Sequence, residues 1–91
     1  MKYIAFWEHK DFTPESVQKQ LAIHKERGEK GEHVKTIFPP HLFLTESKGF
    51  IIFESDDEME IMKYHRDYSP VLKIKVIPIV EGSKAAELFQ E

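Results

Sequence analysis

Gly49-Phe50-Ile51-Ile52-Phe53-Glu54 is the stretch on which the fold turns. It is short, rich in β-branched and aromatic residues and free of proline, which marks it as a strand. Successive side chains of a strand point to opposite faces, so Phe50 and Ile52 lie on one side and Ile51 and Phe53 on the other. A strand apolar on both faces belongs inside a sheet that is covered twice. Upstream, Thr45-Glu-Ser-Lys48 reads as a hairpin turn, preceded by a second strand over 34–38 and 42–44 that Pro39-Pro40 interrupts. Downstream, Ser55-Asp56-Asp57 is an acidic helix start for a segment carrying Met59, Ile61, Met62, His65 and Tyr68. Ser69-Pro70 ends that helix, because the residue before proline is pushed out of the helical region.

The flanks complete the pattern. Lys2-Tyr-Ile-Ala-Phe-Trp-Glu8 is a first strand with Tyr3, Ala5 and Trp7 on one face and Ile4 and Phe6 on the other. Thr13 as N-cap, Pro14 at the first helical position and Glu15 in the first turn open a helix over 14–27. Val17, Leu21 and His24 recur along it at helical spacing, and Gly28 stands where a C-terminal cap belongs. Residues 29–33 form a polar loop and 71–80 a fourth strand, and Ser83 caps a short last helix with Ala85, Leu88 and Phe89. The order is βαββαβ plus a C-terminal helix, the α+β pattern called ferredoxin-like, expected as one domain over 1–91.

Proline placement tests this independently. A proline removes a ladder hydrogen bond and is tolerated at sheet edges. Strands two and four hold Pro39, Pro40 and Pro78, while strands one and three hold none. The antiparallel order 4-1-3-2 puts the proline-bearing strands outside.

Right-handed crossovers place both helices on one face of such a sheet. The other face would then expose about half a dozen large apolar side chains, on the order of 10 kcal/mol of unrealised burial. Two sheets packed face to face would cover it, and Phe6, Phe50, Ile52 and Phe53 are the candidate contact residues of a homodimer. The last helix carries too little apolar surface to do so alone.

Composition narrows the function. The 91 residues include no Cys, which removes disulfides, thiolate nucleophiles and Cys-based metal sites. The net charge of −3 does not attract phosphate backbones. No apolar run approaches the roughly 20 residues of a membrane span, and no signal-peptide pattern opens the chain, so a cytoplasmic protein away from membranes is expected.

The topology brings Trp7, His9, the start of helix one, His65 and Tyr68 toward one end of the sheet. A pocket between sheet and helices is expected there for a small apolar or aromatic molecule, lined by Trp7, His41, His65 and Tyr68. His41, His65 and Tyr68 are the candidate catalytic groups, since imidazole and phenol move protons near neutrality. The competing reading makes Trp7 and Tyr68 ordinary core residues and His41 an exposed edge histidine beside structural prolines. Histidines 9, 24, 33, 41 and 65 show no His-x-x-x-His or His-Glu-x-x-His spacing, so no metal is expected. No cofactor is expected either; haem would need a histidine projecting into a large apolar cavity.

Lys48-Gly-Phe50 matches the start of the third-strand motif of RNA-recognition domains, but Ile52 and Ser55 stand where stacking aromatics belong. With the negative charge, nucleic acid is not an expected partner. A similarity to acylphosphatase would need an Arg after strand one and a catalytic Asn; the chain has no Asn, and its only arginines are Arg27 and Arg66.

Lys2-Tyr-Ile-Ala-Phe-Trp-Glu8, Ile37-Phe-Pro-Pro-His41, Lys48-Gly-Phe50, His65 with Tyr68, and Pro78-Ile79 together resemble the family called domain of unknown function 3303. The resemblance runs over nearly the whole chain, with Phe-Pro-Pro-His its most distinctive element. It implies membership of the dimeric α/β-barrel superfamily. That superfamily includes cofactor-independent monooxygenases, haem-binding proteins, lactone isomerases and ligand-sensing domains, and it implies no particular site residues here. Two readings follow. One is a homodimer binding a small molecule, with oxygenase or isomerase-like activity; the other is a non-catalytic sensor or assembly module.

Overall fold

In the computed structural model, which describes residues 1–90, local sequence signals start the elements where chemistry says they should. Strand β1 spans Lys2–His9, and α1 follows over Pro14–Glu29. The Thr13 side chain accepts the Ser16 N–H at 3.1 Å, and Pro14 opens the first turn, where no N–H is needed. Strands β2 (Lys35–Leu42) and β3 (Lys48–Glu54) form a hairpin, then α2 covers Glu58–Tyr68, capped by the Asp57 carboxylate on the Met59 N–H at 2.9 Å. Strand β4 (Leu72–Ile79) and α3 (Gly82–Glu87) complete the chain.

All neighbouring strands are antiparallel, in the order β2-β3-β1-β4. This is the ferredoxin-like order expected from the prolines, read from the other edge. β1 and β3 are central, with Ala5 opposite Ile51 and Val76 across the two ladders. The core lies on the helix side: Ala5, Trp7, Ile51, Phe53 and Leu72 from the sheet meet Tyr64 and Tyr68 of α2. No helix among the described residues is long and apolar enough to cross a membrane.

Several expectations are corrected. Helix α1 runs through Gly28 to Glu29, and Gly31 takes the left-handed conformation (φ 68°) that lets the chain leave the helix. The second strand is interrupted at Pro39-Pro40 only in its register, which shifts between Thr36, Phe38 and His41; β2 has no gap there and ends at Leu42 rather than Leu44. Glu81, not Ser83, precedes α3, without a side-chain cap. On α2 the inward stripe is Ile61, Tyr64 and Tyr68, whereas Met59 and Met62 face solvent.

The face opposite the helices carries Phe6, Phe50 and Ile52, as expected. Phe53 does not belong there. It is fully buried on the helix side, stacked on Tyr3 and packed against Tyr64 with both ring centroids 5.6 Å away, because its register parity is opposite to that of Phe50. The open face is instead extended by β2. Phe38, His41 and Phe43 lie around Phe50 at centroid distances of 5.7, 5.9 and 6.1 Å. Helix α3 ends at Glu87, before the expected Leu88 and Phe89, and both of these are exposed.

Candidate functional site

The edge strand β2 is exposed along its whole length, because α1 stands away from it. The gap left between α1 and the sheet is a concave feature lined by both helices and the sheet. Its inner part is a cavity of about 180 Å³. Trp7, Ile51 and Leu72 form its floor, Tyr64 and Tyr68 one wall, and Gln20, Leu21 and His24 of α1 the other.

One polar contact crosses this chamber. The Tyr68 hydroxyl lies 3.2 Å from Nδ1 of His24, joining α2 to α1. Tyr68 is buried, and burial pushes its phenol up, with Arg27 opposing and Asp67 adding to the rise. His24 is open to solvent on one side, yet desolvation lowers its pKa, helped by His33 and Arg27. A neutral phenol beside a neutral imidazole is the resulting state near pH 7, and such a pair can exchange a proton with a bound molecule.

Arg27 fixes the geometry from behind. It is buried, donates to Asp67 and to the Glu32 carbonyl at 2.6 Å, and lies 5.5 and 5.7 Å from the centres of the Tyr64 and Tyr68 rings. Burial raises the Asp67 carboxyl, but hydrogen bonds from Arg66 and Arg27 outweigh it and hold that group below the ordinary carboxylate range. His33 flanks the chamber beside His24: its ring stacks on His24 at 4.5 Å, and its Nε2 donates to the His24 carbonyl at 3.1 Å. That approach needs Gly28, where an added Cβ would sit 3.0 Å from the His33 ring.

The chamber opens along α1 into a groove of about 820 Å³ toward the β2–β3 turn. Trp7, Gln20, Leu21 and Pro40 line both spaces. His9 borders the groove, with its ring edge-on to Trp7 at 6.2 Å and 5.1 Å from Phe12. It is only 7% exposed, its Nδ1 has no hydrogen-bond partner, and burial lowers its pKa. No group of three or more potential metal ligands occurs among the described residues.

Of the four residues expected to line one pocket, Trp7 and Tyr68 do so. His65 does not, being exposed on α2 outside the Ile61–Tyr64–Tyr68 stripe. His41 does not either. The irregular ladder around Pro39 and Pro40 places it on the open face, stacked on Phe38 at 4.4 Å, with Nδ1 donating to the Pro39 carbonyl at 2.6 Å. The imidazole beside Tyr68 is His24. Gln20, His24 and Arg27, at i, i+4 and i+7, form a polar stripe along α1, of which helical periodicity singles out His24 but neither Gln20 nor Arg27.

A family model described as domain of unknown function (DUF3303) matches residues 1–91. No curated protein matches the chain. Among solved structures, the crystal structure of an antibiotic biosynthesis monooxygenase is similar, with a TM-score of 0.51 and 13% sequence identity over 89% of this chain and 100% of that one. At that identity the likeness concerns the fold alone.

Proposed function

The chain belongs to the DUF3303 family, and from that footing we propose that it is a homodimer binding a small apolar or aromatic molecule in the chamber between sheet and helices. The contact between Tyr68 and His24 at the wall of a cavity floored by Trp7, Ile51 and Leu72 carries this reading. Trp7, Ile51 and Leu72 would hold a ring, and the phenol–imidazole pair would take up a proton from its hydroxyl or from an acidic C–H.

Proton abstraction is the step that isomerisation and cofactor-free oxygenation have in common. Returning the proton to another carbon gives an isomer. Reaction of the carbanion with dioxygen converts a CH₂ to a carbonyl and releases water, with no outside reductant. No cofactor is part of the proposal. The monooxygenase-like fold is compatible with either outcome.

The open face supports the dimer, since Phe6, Phe38 and Phe43 remain 39, 40 and 38% exposed around Phe50. Light scattering should give twice the 10.7 kDa chain mass at micromolar concentration.

Trp7 is the only tryptophan and forms the chamber floor, so its fluorescence reports occupancy directly. Titration with phenol should quench it, and Tyr68→Phe should weaken binding about tenfold, the value of one hydrogen bond to a buried ligand. Unchanged Trp7 emission across a panel of phenols and dihydroxybenzenes would favour the non-catalytic assembly reading. In that case the open face would be the functional surface.

A further inference from the structure

We infer that the ligand is amphipathic: a single-ring head occupies the chamber at Tyr68 and His24, and an apolar chain runs from it along the groove between α1 and the end of β2. This rests on the chamber being a ligand site, as proposed above, and specifies what that ligand is.

Size sets the head. Roughly 150 Å³ accommodates one benzene-sized ring, and the chamber is about 180 Å³. Anything larger must leave it. Arg27 with Asp67 and Glu32 closes the inner end and the His24–His33 stack covers one side, which leaves the groove as an exit. The shared walls Trp7, Leu21 and Pro40 make chamber and groove one continuous space.

Chemistry sets the tail. Phe12, Leu21, Leu42 and Leu44 border the groove and are 67, 61, 69 and 100% exposed. No Lys or Arg lines it; Glu46 at its rim is the one charged side chain. The Tyr68–His24 pair can recognise a polar head at the chamber end, while Thr45, Glu46 and Ser47 stand at the far, turn end of the groove and His9 and Gln20 border it. Between them the exposed carbon of Phe12, Leu21, Leu42 and Leu44 is complementary to an apolar chain that leaves the chamber. Apart from Phe43, which borders both, the groove lies on the helix side of the sheet, so Phe6, Phe38 and Phe50 of the open face stay free for dimer pairing.

The test compares phenol with 4-butylphenol, reading Trp7 emission of the 91-residue chain. Each buried methylene is worth about fourfold in affinity. With part of the chain left in water, 4-butylphenol should bind at least thirtyfold tighter than phenol. Phe12→Glu and Leu42→Glu should each bring that ratio down to a few-fold; Leu44→Glu, at a fully exposed position, is the substitute if either variant loses its far-ultraviolet signal. Equal affinity for the two phenols would overturn the amphipathic ligand and leave the chamber reading standing. Failure of both to change Trp7 emission would overturn the two together. A ratio that survives the Glu variants while the particle changes size would show that a second copy, not a ligand chain, occupies the groove.

Discussion

The two faces of the sheet start from nearly the same side chains and end differently. On the helix side, Ala5, Trp7, Ile51 and Phe53 are closed over by Tyr64 and Tyr68. On the open side, Ile4, Phe6, Phe50 and Ile52 are of similar apolar character but stay half-buried or exposed. The difference comes from the helices. They bring polar groups with them, so the covered face contains the Arg27–Asp67 pair and the Tyr68–His24 contact, whereas the open face has a run of aromatic rings. One face holds the chamber of about 180 Å³, and the other an uncovered cluster of aromatic rings.

Neighbouring phenylalanines sharpen that contrast most. Phe53→Ala removes a fully buried ring wedged between Tyr3 and Tyr64, and should cost about 3–5 kcal/mol in urea unfolding. The loss should not depend on protein concentration. Phe50→Lys lies three residues away on the other face; it should leave a folded chain at half the particle mass, with a stability loss that disappears on extrapolation to the monomer. Equal, concentration-independent losses from both changes would mean that the faces do not differ in role.

Gly49→Ala comes next in size, because this position touches both regions. An added Cβ would lie 2.5 Å from the Trp7 ring and 2.5 Å from the His41 carbonyl oxygen, so either the chamber floor or the β2 edge must move. Overpacking of this kind typically costs about 1–3 kcal/mol. Urea denaturation measures the cost, and a shifted Trp7 emission maximum in the native state would show that the floor is what gives way. An unchanged maximum would place the strain in β2 and the aromatic stack behind it.

What the sequence made legible followed the physics that acts locally. Thr13 with Pro14, and Asp57, mark helix starts because caps act within one turn. Pro39, Pro40 and Pro78 mark edge strands because a missing N–H is tolerated where no partner waits. The face assignment of β2 was not legible, since two register shifts around Pro39 and Pro40 reset its alternation and carry His41 away from the chamber. The inward role of Tyr64 was hidden by Met59 and Met62, which are as apolar as core residues but sit on the outer side of α2.

His24 was visible only as a member of a helical stripe, because its partner Tyr68 is 44 residues away and no local rule pairs them. Arg27 did leave a trace. In a chain whose other cations are nearly all lysines, an arginine within a helix marks a place where a planar fork is needed. Here it bridges Asp67 and the Glu32 carbonyl beneath two tyrosine rings.

The smallest effect expected is one of pH, and it separates the covered region from the open one by titration. His9 and His24 belong to the helix side, and desolvation lowers both below the ordinary histidine value of 6.5. Between that value and their folded values the unfolded chain binds more protons than the native one, so stability falls as pH drops through 6.5 and levels off below the folded pKa. Above pH 7 the contribution is fully present. His9 should dominate because it is 7% exposed and has an unpartnered Nδ1, while solvent reaches His24 and screens its share. One histidine contributes at most about 1.4 kcal/mol per pH unit within its window. Replacing His9 by Phe keeps a ring against Trp7 and Phe12 and removes the titrating group. The urea midpoint of the His9→Phe variant should therefore vary less between pH 7 and pH 5 than that of the unaltered chain. If the two curves run parallel, the pH response comes from elsewhere and the buried imidazole at the groove is not what acid attacks first.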